Sequence, residues 1–293
     1  MNITTKIINT GTAWKNKKRR VEDYFLVKNL SDLLKKKRGY IVKMPNPGTP
    51  VTICVSGGID SIPNLFILME KFKLNVYPCF LDRKQTNYKY EVASIKFFDS
   101  YFKKKFPKIY HGIKKIKLET PSKDYKDLLR ATKNLQDNIL MRRDVSYPAR
   151  NPIIFLTGME YAYSLQSQGI SIKTVFGAFP NSDFLYHSSL TALRALNVLA
   201  CHITHDWNWQ FISIPIEEEF GNCYDKEVYI KYCLERGVPL ERTRSCPKGG
   251  KLHCGTCIAC WDRRNAFKQT GFKDKTPYKA PMPKDIPFAY KQN

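Results

Sequence analysis

Short β-branched apolar runs alternate along the chain with longer stretches of helical spacing. Val51-Thr52-Ile53-Cys54-Val55 is the first such run, and it suits a strand buried on both faces. Ser56-Gly57-Gly58 then turns the chain. Residues 60–72 carry apolar positions at helical spacing, with Pro63 in the first turn, where proline is tolerated. The pattern next predicts a strand over 76–81, weakened by Pro78, a helix over 91–106 and a strand over 113–118. Helices over 153–168 and 190–201 each precede a strand, at 173–177 and 211–216. A last helix over 226–236 is stopped by Gly237 and Pro239. Strands alternating with helices predict an α/β fold with a doubly wound parallel sheet.

The breaker cluster Met44-Pro45-Asn46-Pro47-Gly48-Thr49-Pro50 divides a basic N-terminal extension, 1–48, from a single domain over 49–293. At 293 residues the chain can bury a core without staples. A hydrophobic content of 43 % excludes a disordered chain. No apolar run approaches the roughly 18 residues of a membrane span. The first residues, Met1 to Lys6, lack the apolar core of a secretory signal. A soluble, cytoplasmic protein is expected.

The net charge is +23 and unevenly placed. Residues 1–50 hold 12 Lys/Arg against 3 acids, including Lys17-Lys18-Arg19-Arg20 and Lys35-Lys36-Lys37-Arg38, and 101–117 hold seven Lys and no acid. Such a surface suits phosphates, and so a nucleic acid or an acidic protein partner. A solvated lysine face explains it equally, because Arg is the better phosphate reader and Lys dominates here. Both readings stay open. A homodimer is also compatible with the sequence.

Chemistry concentrates at two places. The first is Ser56-Gly57-Gly58-Ile59-Asp60-Ser61, between the first strand and its helix. Free N–H groups and partial positive charge at a helix N-terminus attract anions, and glycine lets backbone approach closely. Ser56 and Ser61 add hydroxyl donors. The string Ser-Gly-Gly-x-Asp-Ser resembles the PP-loop of the ATP pyrophosphatase superfamily, which cuts ATP between its α and β phosphates. A Walker-type loop would need Gly-Lys-Ser or Gly-Lys-Thr, and neither occurs. Asp60 is the acid best placed to hold Mg²⁺ or orient the phosphates, against its plainer role as a helix N-terminal acid.

The second place is Cys246-x7-Cys254-x2-Cys257-x2-Cys260, four thiols within the segment 246–270. Cys-x2-Cys turns both sulfurs to one side and suits a tetrahedral, structural Zn²⁺ with all four positions filled. An iron–sulfur cluster is the rival, since ligand type alone does not separate them. The remaining cysteines, Cys54, Cys79, Cys201, Cys223 and Cys233, have no ligand spacing. His202 and His205 read as helix-end residues, and His253 as a neighbour of the metal rather than a fifth ligand.

Together these features resemble the 7-cyano-7-deazaguanine synthase (QueC-like) family of queuosine biosynthesis. The resemblance runs through the loop, Asp82-Arg83-Lys84-Gln85, Tyr147-Pro148-Ala149-Arg150-Asn151, Lys226-Glu227-Val228, Gly237-Val238-Pro239 and Ser245 to Phe267, over roughly 51–272. It implies an ATP-dependent ligase-type enzyme. ATP adenylates a 7-carboxy-7-deazaguanine-like carboxylate, ammonia gives the amide, and a second ATP drives nitrile formation. Ser56, Gly57, Gly58, Asp60, Ser61 and Asp82 would hold the nucleotide. Asp60, Arg150 and Lys226 would act on phosphate or developing charge. Asp183, Tyr186 and Arg263 would contact the small-molecule substrate.

The chain departs from the family after Gly177. In place of a Gly-Tyr-Pro-Asp-Cys-Arg stretch that reads the deazapurine stands Ala178-Phe179-Pro180-Asn181-Ser182-Asp183-Phe184-Leu185-Tyr186-His187-Ser188-Ser189. Losing such contacts should change substrate choice. Alternatives therefore remain: a diverged antiphage-defence homologue joining a deazaguanine to a protein or nucleic acid, a tRNA-thiolating PP-loop enzyme, or a polyanion-binding module with a degenerate ATP site.

Overall fold

The computed structural model describes residues 22–125, 127, 147, 149–181, 183, 185–220 and 225–283. Lys17 to Arg20, Pro148, Ser182, Phe184 and Cys223 lie outside the described residues. Five strands, β1 (Pro50–Val55), β2 (Asn75–Asp82), β3 (Lys114–Lys117), β4 (Thr174–Gly177) and β5 (Gln210–Ser213), form one parallel sheet in the order β3-β2-β1-β4-β5. The expected doubly wound α/β architecture is the one observed. The chain winds outward from β1 to β3, returns to the other side of β1, and winds out again. The switch point therefore lies between β1 and β4, where parallel sheets open a crevice at their C-terminal ends.

Alternation along β1 sends Val51, Ile53 and Val55 to one apolar layer and Cys54 to the other. The first layer packs under α2 (Ser61–Glu70), α3 (Tyr88–Lys105) and α6 (Lys226–Leu234). The second packs under α4 (Arg150–Ser164) and α5 (Leu190–Thr204), with Phe155, Trp209 and Phe211 at its centre. α7 (Ile258–Thr270) starts within the cysteine segment, carries Cys260 in its first turn, and packs on α6.

Pro78 sits within β2, opposite Ile53. Val76 exchanges hydrogen bonds with Ile109 and His111 on the β3 side. The same parity turns the Pro78 nitrogen that way, into the gap before β3 begins at Lys114, so no ladder bond is lost. The expected strand over 211–216 is shorter than its apolar run. β5 ends at Ser213 and Ile214–Ile216 forms a 3-10 turn, because Pro215 supplies no N–H for a ladder.

Part of the basic segment 1–48 is docked on this body. α1 (Tyr24–Arg38) is capped by Asp23, which accepts from the Leu26 N–H, and it packs along α5. Glu22 accepts from the N–H groups of Leu190 and Thr191, both at 2.8 Å, and so caps α5 from outside. Arg194 of α5 makes a buried two-pronged pair with Glu217 and donates to Ser31 of α1. Lys35, Lys36 and Lys37 stay exposed in the last turn of α1, where the helix dipole favours cations. His205 ends α5 in the left-handed conformation, as a helix-end residue.

Candidate functional site

The loop after β1 closes on its own hydroxyls. Ser56 N–H donates to Ser61 Oγ at 3.0 Å, and Gly58 N–H to Ser56 Oγ at 3.3 Å. Gly57 has φ +75°, and a Cβ there would approach the Glu91 carbonyl and Ser94 to 3.1 Å. Its carbonyl accepts from Ser94 Oγ and from Arg244 N–H, each at 2.8 Å. The loop is thus held from behind by α3 and by the stretch preceding the cysteines.

In front of it, at the switch point, opens a cleft of about 300 Å³. Ser56, Asp60 and Ser61 line it from the loop, Arg150 from α4, and Asp183 from beyond β4. The local sequence explains these placements. Each residue follows a strand end or opens a helix, so its polar group emerges where the sheet stops.

Asp60 is anchored from below. Tyr229 donates to it, and Lys226 reaches it at 3.1 Å while also pairing with Asp262. Lys226 is buried, which opposes its charge, yet Asp60 and Asp262 hold the ammonium well above its ordinary range. Arg150 Nε donates to Asn151 Oδ1 at 3.2 Å. Burial lowers Arg150 from its usual value, and Asp183 opposes that shift. Ser188 Oγ donates to Asp183 at 2.7 Å and accepts from Asn151 at 2.7 Å, so the Asp183 carboxylate is fixed by a chain of side chains.

Two residues expected at the substrate, Arg263 and Tyr186, and one expected at the nucleotide, Asp82, stand elsewhere. Arg263 does not reach the cleft. Its guanidinium is fully buried and donates to Thr243, Ser245, the Leu240 carbonyl and Thr276, beside Asp274. Five fixed donors are consumed inside the protein, so it fastens 272–276 to α7. Tyr186 is 57 % exposed and lies outside the cleft lining. Asp82 faces the sheet edge, where Lys115 pairs with it at 3.1 Å. Its neighbours Arg83 and Gln85 line the cleft instead, and so does Glu91. Burial pushes the Glu91 carboxyl up, against hydrogen bonds from Gln85 and Asn87. The period-two alternation of a strand end could have separated Asp82 from Arg83, whereas nothing in the sequence marks Glu91.

The four cysteines meet. All four Sγ atoms lie within 4.8 Å of one another, with Cys254–Cys260 and Cys246–Cys257 both at 3.9 Å. A tetrahedral ion with sulfur bonds of about 2.3 Å sets its sulfurs about 3.8 Å apart, so the group could hold one metal ion. Cys257 N–H donates to Cys254 Sγ at 3.2 Å and Cys254 N–H to Cys246 Sγ at 3.4 Å, as thiolates would require. Gly255, at φ +84°, makes the turn, and any Cβ there would collide with the Ala280 carbonyl. His253 is held by its backbone against 277–279 and is not among the cluster.

A phosphate-type loop and helix N-terminus at the switch point of a parallel sheet, beside a four-thiol knot, define an α/β protein of the PP-loop kind. The family described as "Queuosine biosynthesis protein QueC" matches residues 51–271, and the chain belongs to that family. A 7-cyano-7-deazaguanine synthase of Saccharolobus solfataricus is 33 % identical over 135 residues, covering 45 % of this chain and 26 % of that protein. One from Persephonella marina is 25 % identical over 236 residues, covering 76 % of this chain and 94 % of that protein. The chain spans about a quarter of the length of the first curated relatives it matches. Among solved structures, the U34-tRNA thiolase NcsA from Methanococcus maripaludis, with its [4Fe-4S] cluster, is 13 % identical at a TM-score of 0.32, over 90 % of this chain and 84 % of that one.

Proposed function

We propose that the chain is an ATP-dependent adenylating enzyme that activates a 7-deazaguanine carboxylate for C–N bond formation, releasing pyrophosphate and AMP. The observation that carries this reading is the convergence of the serine–glycine loop, Asp60, Arg150 and Asp183 on one cleft in a member of the QueC family. A carboxylate is a poor electrophile, and an acyl-adenylate gives it a good leaving group. Such chemistry needs phosphate positioning and charge neutralisation more than an acid–base triad.

The residues divide the work. Ser56, Gly57, Gly58 and Ser61 cradle the pyrophosphate. Arg150 stands against the phosphate where charge develops, and Asp183 orients the substrate. Lys226 acts through Asp60: it fixes the carboxylate and touches no reacting atom. Asp60 is 28 % exposed at the cleft and would hold Mg²⁺, which neutralises phosphate charge when bound. Cys246, Cys254, Cys257 and Cys260 would hold Zn²⁺ as a closed structural site, since a four-iron cluster spreads its thiolates over separate irons.

A second reading passes the activated acyl group to an amine of a macromolecule. The wall that would read the deazapurine is rebuilt here around Asp183, Ser188 and Asn151, and this favours an altered substrate. Thiolation fits less well. Among the described residues Cys54 is the thiol lining the cleft, but it is 8 % exposed and packs 3.7 Å from the Cys79 sulfur in the apolar layer, whereas a sulfur carrier needs access. Incubation with ATP, 7-carboxy-7-deazaguanine and ammonium, followed by mass spectrometry, tests the proposal. An amide or nitrile supports small-molecule synthesis, an adenylate that waits for a macromolecule supports the second reading, and no AMP refutes both.

A further inference from the structure

Behind the loop lies a second cavity, of about 320 Å³, none of whose lining residues borders the cleft. α3 contributes Tyr90 and Phe97, the stretch after α6 contributes Arg242 and Arg244, and the cysteine segment contributes Lys251 and His253. Three of these carry positive charge, against the single acid Glu241 on the same wall. Arg242 lies over Phe97 at 4.5 Å and Arg244 over Tyr90 at 4.8 Å, which makes a wall of stacked planar groups. The Arg244 side chain donates to the carbonyls of Cys246 and Lys248, which fixes the guanidinium without cancelling its charge. His253 is 4 % exposed, and its Nδ1 has no hydrogen-bond partner. A buried polar nitrogen left unpaired is costly, and a ligand group would relieve it.

We propose that this cavity binds one nucleoside phosphate. The phosphate sits against Arg242 and Lys251, and the base lies on the guanidinium-backed aromatic wall. Stacking tolerates any base, and the volume is at the lower end of the range for small-ligand sites, which suits one nucleotide and no more. Two cavity residues, Ser94 and Arg244, make the two hydrogen bonds that hold the Gly57 carbonyl, so an occupant bears directly on the back of the loop. The proposal does not depend on the adenylation reading.

A short fluorescent single-stranded RNA carrying one thiouridine tests it on the full chain. The expected result is saturable binding, with light-induced crosslinks mapping to α3 or to 240–253. Arg242→Glu together with Lys251→Glu should weaken binding by roughly tenfold or more, while melting temperature and ATP turnover hold. Both residues are exposed, so the fold should tolerate the change. Displacement of the RNA by a nucleoside monophosphate is expected, because the cavity takes one nucleotide, and no displacement at saturating nucleotide would overturn the proposal. Crosslinks confined to the loop and the start of α4, or binding indifferent to the charge reversal, would overturn it.

Discussion

Lys226→Met removes the buried cation between Asp60 and Asp262 while nearly keeping its length. Lys226 has 8 % of its side chain exposed, and its partners 28 % and 21 %. Breaking a fully buried pair by removing one partner costs about 3–5 kcal/mol. Partial hydration of both carboxylates lowers this to about 2–4 kcal/mol, because water screens what the cation leaves behind. For a chain of this size that is a fall in melting temperature of roughly 3–7 °C. The pH dependence follows from the sign of the shift. Lys226 is held above its unfolded value of about 10.4, so its stabilisation is complete at neutral pH and is lost only as pH rises through the folded value. The wild-type contribution should therefore be flat from about pH 6 to 9. Thermal melts at three pH values and AMP formation measured side by side are the assay. AMP formation should fall more steeply than stability, because Asp60 keeps the Tyr229 hydrogen bond but loses the cation that fixes its second oxygen. A variant that melts within a degree or two of the wild type and forms AMP at the same rate would refute the reasoning.

Asp60→Ala should abolish AMP formation and leave the fold in place, since Lys226 keeps Asp262; circular dichroism and pyrophosphate release check the two halves. Cys257→Ser should lower bound metal and soluble yield together, read by elemental analysis, because a site with four protein ligands contributes folding energy directly. Arg263→Lys should cost about 3–5 kcal/mol through its lost buried hydrogen bonds and leave KM for the deazaguanine substrate unchanged. A raised KM with a normal melting temperature would return Arg263 to the substrate.

Period and punctuation made most of the sheet legible. Val51 to Val55 and the loop after it appear as a buried strand and a turn in the residues themselves, and the local thiol spacing announces the meeting of four sulfurs. What failed to show was side-chain direction. Arg263 and Arg264 are adjacent in sequence, yet Arg263 points inward to five protein partners while Arg264 lies over Tyr278. A motif gives the residue type but not which way a helix turns it. Asp82 and Arg83 differ for the same reason at a strand end. The part played by 22–48 was also hidden, because α1 reads as a charged amphipathic piece. Its packing on α5 through Glu22 and Ser31, the Arg38 hydrogen bonds to the Trp207 and Trp209 carbonyls, and the Lys43 N–H to Gln210 of β5 tie it to the sheet. Lys226 looked like a cation for phosphate. Its burial between two carboxylates depends on Asp262, distant in sequence, and no local pattern could announce that contact.

The most direct measurement uses 7-carboxy-7-deazaguanine labelled with heavy oxygen in its carboxylate. If AMP is passed to that carboxylate and an amine then displaces it, one labelled oxygen leaves with the AMP, and mass spectrometry should find the nucleotide heavier by one isotopic substitution. Unlabelled AMP, or ADP and phosphate in its place, would contradict the account.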